Sequence, residues 1–541
     1  MPQGVADLRP PAVTEYKTQD SMTRFDKRSI ARNVGSSWLG LGVTVATGFF
    51  LSPFILHRLG DDAFGLWTLV FAITGYYGLF DFGIRSSVIR YVAKFSAVDD
   101  REELHRLINT SLFSYSCVAV VLLAVTALGT VYVDKLFHVQ PAFMRTAQIL
   151  FAMVGASLAL GFPFAVFAGT LEGLQKFHLL NGVNVLNTLL RAVLIVFALK
   201  HGYGLLTVAL ITVLLPLLGG IINALSVFRL VGLRIGPGLV SKSTFRQIAN
   251  YGSITFMISV AYRLRFKTDA VIIGTFLSAA QITYFTIGSR LVDYAGDVVS
   301  SLAQIFVPMS SQSHATGDLG ALRKIFVAGN RACALVIFPI AAMLAVLGKS
   351  AIEAWVGQRY VERSYPVLLI LLVPSTLMLA QSASGRILYG MAKHKTWGWI
   401  VLAEGVANLI LSILLVRPYG IVGDALGTAI PLTCSMLFFL PGHLCRLLGI
   451  RLWTYVTEAF LLPLGLCIPL VVSLLWMRYW FVPHNYIQLL VQLFIGSSVY
   501  GAGLVWAIRT RRIWNVGTLS SETVTNEVAA SLVETYQEEQ V

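Results

Sequence analysis

Long apolar stretches, separated by short polar ones, run along almost the whole chain. A bilayer is crossed by a helix of roughly twenty residues, and on that window the pattern predicts about fourteen transmembrane helices. The first six lie near residues 33–57, 63–93, 108–133, 146–172, 178–199 and 204–228. Six more lie near 247–276, 279–309, 324–348, 365–390, 396–416 and 421–446, and a last two near 453–479 and 486–508. Between the two sets of six sits a Gly- and Pro-containing basic stretch with Arg229, Arg234, Lys242 and Arg246, a natural joint between two halves. The expected architecture is an all-α integral membrane protein. It has a polar tail over 1–30, a six-helix lobe over 31–230, a connector over 231–246, a second six-helix lobe over 247–448, two extra helices over 449–512 and an acidic tail over 513–541. Six crossings is an even number, so the lobes would share one orientation as a parallel pseudo-repeat.

Composition supports this and removes alternatives. Of 541 residues, 56% are hydrophobic and only 13% charged, against about 25% charged in soluble domains. A net charge of +14 could suggest a nucleic-acid partner, but the basic residues fall between apolar runs rather than in one patch, so none is expected. They gather on one side. Lys17, Arg24, Lys27, Arg28 and Arg32 precede the first span, and Arg90, Lys94, Arg101 and Arg106 follow the second. Arg323, Lys324, Lys393, Lys395, Arg509, Arg511 and Arg512 continue the series. The positive-inside rule then places both termini in the cytoplasm. Residues 1–30 lack the apolar run of a secretory signal. Cys117, Cys333, Cys434, Cys445 and Cys467 form no CxxC pair and read as small apolar filler. There is no HExxH, no GxSxG and no phosphate-cradling Gly-rich loop. No catalytic residue, metal or cofactor is expected.

One set of residues has a familiar arrangement. Asn33-Val34-Gly35 opens the first span. Pro53-Phe54-Ile55-Leu56-His57-Arg58-Leu59-Gly60, Asp61-Asp62-Ala63-Phe64-Gly65-Leu66-Trp67, Asp81-Phe82-Gly83 and Tyr91-Val92-Ala93 follow. The second half carries Asp269-Ala270-Val271-Ile272-Ile273-Gly274, Tyr284 and Gly288-Ser289-Arg290-Leu291. The chain resembles the polysaccharide biosynthesis flippases, O-antigen-type transporters of the multidrug/oligosaccharidyl-lipid/polysaccharide exporter superfamily. The resemblance implies two lobes around a central cavity, alternating access, and a polyprenyl-pyrophosphate-linked oligosaccharide as cargo. It also implies the bacterial inner membrane as location, with a polysaccharide polymerase and export machinery as further partners. It does not name the sugar.

Charges at bilayer depth cost roughly 2.5–3.5 kcal/mol each on insertion scales, so each calls for a partner, a wet cavity or a ligand. Arg263, Arg265 and Lys267 lie in the middle of 247–276. On a continuous helix Arg263 and Lys267 share one face, while Arg265 can pair with Asp269. At 1.5 Å per residue, Arg263, Lys267 and Arg290 lie roughly 21, 15 and 16 Å from the outer ends of their spans, which brings them together near the midplane. In the flippase reading they hold the diphosphate, whose oxygens a guanidinium fork binds in pairs. In the alternative they pair with acidic residues of neighbouring helices. Arg290, Asp293 and Asp297 share a helical face, and the two carboxylates either take a coupling cation or proton or neutralise nearby cations. Asp81 and Arg85 form an i, i+4 pair, and Arg85 either meets the pyrophosphate at the inner mouth or snorkels as an interfacial anchor. Arg191 and Glu404 stand as isolated intramembrane charges. Asn181, Asn184 and Asn187 either bind sugar hydroxyls or join helices.

Two other functions remain open from sequence. A drug or metabolite exporter could use the same scaffold, although organic cations match a cationic cavity poorly. A membrane polymerase or acyltransferase would carry catalytic groups on a sizeable outer loop, and the longest expected loop is only Gly348 to Tyr365.

Overall fold

The computed structural model describes residues 27–136, 141–266, 268–391, 395–483 and 485–510, so both tails and Lys267 lie outside the described residues. Every regular element among them is helical. The first half holds α1 (Lys27–Leu59), α2 (Asp61–Gly75), α3 (Ile84–Ala97), α4 (Arg101–Leu136), α5 (Met144–Gly173), α6 (Phe177–Lys200) and α7 (Leu205–Val231). The second holds α8 (Lys242–Phe266), α9 (Asp269–Phe276), α10 (Ala279–Ala303), α11 (Phe306–Ala315), α12 (Leu319–Val356), α13 (Val361–Ala380), α14 (Ser382–Gly390), α15 (Lys395–Cys434) and α16 (Leu440–Leu448). Then come α17 (Leu452–Val456), α18 (Leu462–Trp480) and α19 (Tyr486–Arg509).

Among the described residues, eleven helical runs are long and apolar enough to cross a membrane, against the fourteen expected. The run α10–α11 does not qualify, α8–α9 passes partly through residues outside the described set, and the single 53-residue run Thr396–Leu448 contains two of the expected crossings. The expected outer loop between Gly348 and Tyr365 is mostly helix, because α12 continues to Val356 and one turn follows over Gln358–Tyr360.

Three breaks decide where polar groups meet. The expected second span ends in a tight turn over Tyr76–Asp81, and then Phe82 and Gly83 take left-handed conformations (φ 47° and 71°). Gly83 adopts this readily, whereas for Phe82 it is an uncommon conformation. In the seventh span Thr268 lies outside helix, and a new helix starts at Asp269. The third break lies inside α15, where Gly420 (φ 60°, ψ −141°) folds the helix back on itself. The two arms then pack closely because Gly423 and Gly427 lack side chains. A Cβ at Gly427 would overlap the Ser412 backbone, and one at Gly423 the Leu415 carbonyl. Small residues four apart let membrane helices approach in this way.

The first half packs around Val88, Ile108, Tyr115, Val166 and Leu171 of α3, α4 and α5. The second packs around Ile287, Trp355, Val367 and Leu368 of α10, α12 and α13, and Leu56 of α1 and Leu69 of α2 join that core. Apolar packing on α12, centred on Leu347, Leu470 and Leu474, seats α18 and α19. Arg331 of α12 reinforces the dock, donating to the Glu458 carbonyl (2.7 Å) and pairing with its carboxylate (2.9 Å).

Candidate functional site

A cavity of about 580 Å³ opens among α10, α13, α14 and α15. Helix α10 lines it with Ser289, Arg290, Asp293 and Asp297, α14 with Arg386, the α8–α9 break with Arg265 and Asp269, and the second arm of α15 with Thr428. Arg290, Asp293 and Asp297 are exposed and spaced at i, i+3 and i+7, so one edge of α10 is wet. Among the described residues, the lining holds three guanidiniums and three carboxylates. These balance formally; Lys267, expected beside them, lies outside the described residues. Arg386 was missed in sequence, although an arginine inside an otherwise apolar window was the available signal.

Several expected partnerships are redrawn by the helix breaks. Arg265 is buried and lies 2.6 Å from Glu404, so Glu404 is not isolated. The expected pairing of Arg265 with Asp269 assumed one continuous helix, whereas Thr268 lies outside helix and Asp269 opens α9. The Asp269 carboxylate accepts from Thr428 (3.0 Å). The Arg265 carbonyl, left without a helical partner at the end of α8, accepts from Asn408 Nδ2 (3.1 Å), which also reaches Thr428 (3.1 Å). Arg263 donates to the Gly75 carbonyl at the C-terminus of α2, where a cation complements the helix dipole. Its guanidinium lies against Gly78, where a Cβ would overlap it, and it does not line the cavity with Arg290. The expected meeting of Arg263 and Arg290 at one site is thus corrected.

The same reasoning applies to Asp81 and Arg85. The left-handed residues between them end the helix they would have shared. The Arg85 guanidinium pairs with Glu172 of α5, and Asp81 accepts from the Tyr115 hydroxyl.

The α15 hairpin also hides a carboxylate that sequence reading passed over. Asp424 is 0% exposed, and neither of its carboxylate oxygens meets a hydrogen-bond donor among the described residues. Ser412 donates to its backbone carbonyl instead (3.3 Å). Asp424 sits one turn before Thr428, the residue that holds Asp269.

A second cavity, of about 570 Å³, lies among α5, α6 and α7 in the first half and is bordered by Thr44 of α1 and Phe71 of α2. Arg191, Asn184 and Asn187 line it. Asn181 is not among the lining residues. Between α1 and α10 runs an apolar groove of about 580 Å³, with walls that include Leu41, Val45, Phe49, Leu291, Tyr294 and Val298. Asp297 borders both this groove and the charged cavity.

The two halves are latched at one end of the groove. Asp61, at the N-terminus of α2, receives Arg359 (2.9 Å), the Tyr360 hydroxyl and the Tyr284 hydroxyl (3.3 Å), and its own carbonyl accepts from Thr283 (2.7 Å). Beside it, the Trp355 indole donates to the Phe49 carbonyl (2.7 Å), and the two rings stack at 5.3 Å.

Residues 30–314 match the family described as polysaccharide biosynthesis protein. A putative O-antigen transporter of Shigella flexneri is 22% identical over 414 residues, covering 74% of this chain and 94% of that protein. An uncharacterized membrane protein of Bacillus subtilis, EpsK, is 20% identical over 76% of this chain and 82% of its own length. Among solved structures, the lipid II flippase MurJ in an inward closed conformation superposes with a TM-score of 0.69 at 15% identity, covering 88% of this chain and 98% of that one. An inward-facing multidrug resistance transporter of the MATE family and MOP superfamily gives 0.64 at 15% identity, over 78% and 98%. These likenesses establish a shared fold.

Proposed function

The chain belongs to the polysaccharide biosynthesis protein family, and from that premise we propose that it is a flippase. Its cargo is a polyprenyl-pyrophosphate-linked oligosaccharide, carried across the bacterial inner membrane for surface polysaccharide synthesis. The observation that carries this reading is the two-sided character of α10. One edge presents Arg290, Asp293 and Asp297 to a polar cavity, and the other walls an apolar groove. An amphiphile fits such a border, with its isoprenoid tail in the groove and its headgroup in the cavity.

In this proposal the chain makes fourteen crossings in two six-helix lobes plus two, with both termini cytoplasmic. The Asp61 latch then closes the outer face, and alternating access proceeds by its release. Arg290 and Arg386, on facing helices, grip the diphosphate through charge-assisted hydrogen bonds. Asp269 and the buried Asp424 form the place where a proton or small cation is taken up to drive the cycle, since two carboxyl groups at one site do not both carry charge unless a cation joins them. The protein performs no covalent step.

The test is complementation of a deletion strain. Arg290→Ala and Arg386→Ala, each present in the membrane at normal abundance, are expected to lower surface polysaccharide about ten- to a hundredfold, the worth of a charge-assisted hydrogen bond. Full export by both variants overturns the site. The exposed carboxylates Asp293 and Asp297 favour a second reading, export of organic cations. Increased drug susceptibility of the deletion strain, with intact surface polysaccharide, would establish that one.

A further inference from the structure

The proposed grip on the diphosphate leaves the cavity of the first half without a role. Its polar walls are carboxamides and hydroxyls: Asn184 and Asn187 from α6, Asn223 and Thr212 from α7, and Ser157 from α5. Among the described residues that line it, Arg191 is the one charged side chain. The Ser157 hydroxyl is committed to the Val213 carbonyl (2.9 Å). Two other groups are not committed. Asn223 is 7% exposed and Thr212 9%, yet neither the Asn223 Oδ1 nor the Thr212 hydroxyl has a hydrogen-bond partner among the described residues. Buried polar atoms are nearly always paired, so each such orphan asks what it faces.

The cavity is a shaped space, not loose packing. Gly219 brings α7 against the Asn187 amide, and Gly220 brings it against the Phe164 ring, so closely that a Cβ at either would overlap its neighbour. The volume falls within the ~300–1,000 Å³ typical of small-ligand sites. Carboxamides and hydroxyls both donate and accept, whereas Arg191 only donates. That combination matches a ligand dense in hydroxyls, accommodates an acetamido carbonyl or a carboxylate, and disfavours a free amine.

We infer that this cavity is a saccharide subsite, so that the two halves of the protein hold different parts of the cargo: the diphosphate in the second and a sugar residue in the first. The inference rests on the flippase reading and deepens it. Helix α1 makes the arrangement possible. Its Thr44 borders the amide-lined cavity, while Leu41 and Val45 border the apolar groove. It stands between groove and cavity as α10 does on the other side.

The experiment uses the purified full-length protein in lipid nanodiscs and two probes, undecaprenyl diphosphate and undecaprenyl-diphosphate-linked N-acetylglucosamine. Wild type is expected to bind the sugar-bearing probe at least about tenfold more tightly. Thr212→Val, which keeps the shape, and Asn223→Leu are each expected to remove most of that preference. Their affinity for the bare diphosphate should stay within about twofold of wild type, which also reports that they fold. Variants that keep the full preference overturn the inference, because the orphan atoms then serve packing or water alone. A wild type that binds both probes equally overturns the subsite and leaves the diphosphate site standing. A wild type that binds neither removes the cargo reading and the subsite with it.

Discussion

The two cavities are close in volume, about 570 and 580 Å³, and each lies behind a helix that edges the same apolar groove. Their chemistry differs. The second half uses formal charge, which at membrane depth requires balance: guanidiniums and carboxylates share the lining, and Arg265 has Glu404 beside it. The first half uses neutral amides, which are less costly to withdraw from water. It therefore needs no matching set of counter-charges around Arg191. The contrast suggests that charged recognition carries a structural overhead, and most of that overhead is visible as polar staples in the second half.

Removing a staple should have the largest effect. Arg265→Ala leaves Glu404 buried without its partner, and a loss of about 3–5 kcal/mol is expected, enough to deplete folded protein. The double variant Arg265→Leu with Glu404→Leu should recover most of it. Thermal unfolding in detergent measures both, and a single variant as stable as wild type would show that the second half does not depend on this pair. Next comes Gly427→Val, which forces the arms of α15 apart and should cost about 1–3 kcal/mol. Its counterpart in the first half, Gly182→Val, faces open space and should stay within about 0.5 kcal/mol. Equal melting shifts for the two would erase the distinction drawn here. Asp61→Asn keeps the shape of the latch and removes its charge. It should shift the population toward the form open at that end by about tenfold, the worth of one charge-assisted bond. Labelling of a Ser300→Cys variant from the outer face reports this, and unchanged labelling would dismiss the latch. The smallest effect is expected at Asn184, whose exposed side chain can be cut to Ala for about 0.5 kcal/mol or less of stability.

The apolar runs of the first half were legible in sequence because each qualifies on its own hydropathy. The site was legible only in part. Arg290, Asp293 and Asp297 could be placed on one face because α10 is unbroken through them. The contacts of Arg263 with Gly75, Arg265 with Glu404, Asp81 with Tyr115 and Arg85 with Glu172 were not legible, because they depend on short interruptions that helical spacing does not register. The Arg265–Glu404 contact joins residues far apart in the chain, and nothing local to either announces it. Asp424 was hidden differently. One carboxylate in a long apolar run reads as tolerable, and only the fold-back at Gly420 shows that it is enclosed.

Helix α10 has one more consequence, for how the protein is made. Each expected crossing in the first half is apolar enough to leave the insertion machinery unaided, but α10 is not. It can pack early against α2, where Gly65 admits the Ala279 carbonyl, yet the cavity on its wet edge is walled by α13, α14 and α15, all synthesised later. A ribosome-released fragment ending at residue 231 should therefore survive in a pulse-chase, whereas one ending at residue 318 should be cleared by membrane proteases. Biogenesis of the second half is then expected to proceed as one event, imposed by the polar residues of α10.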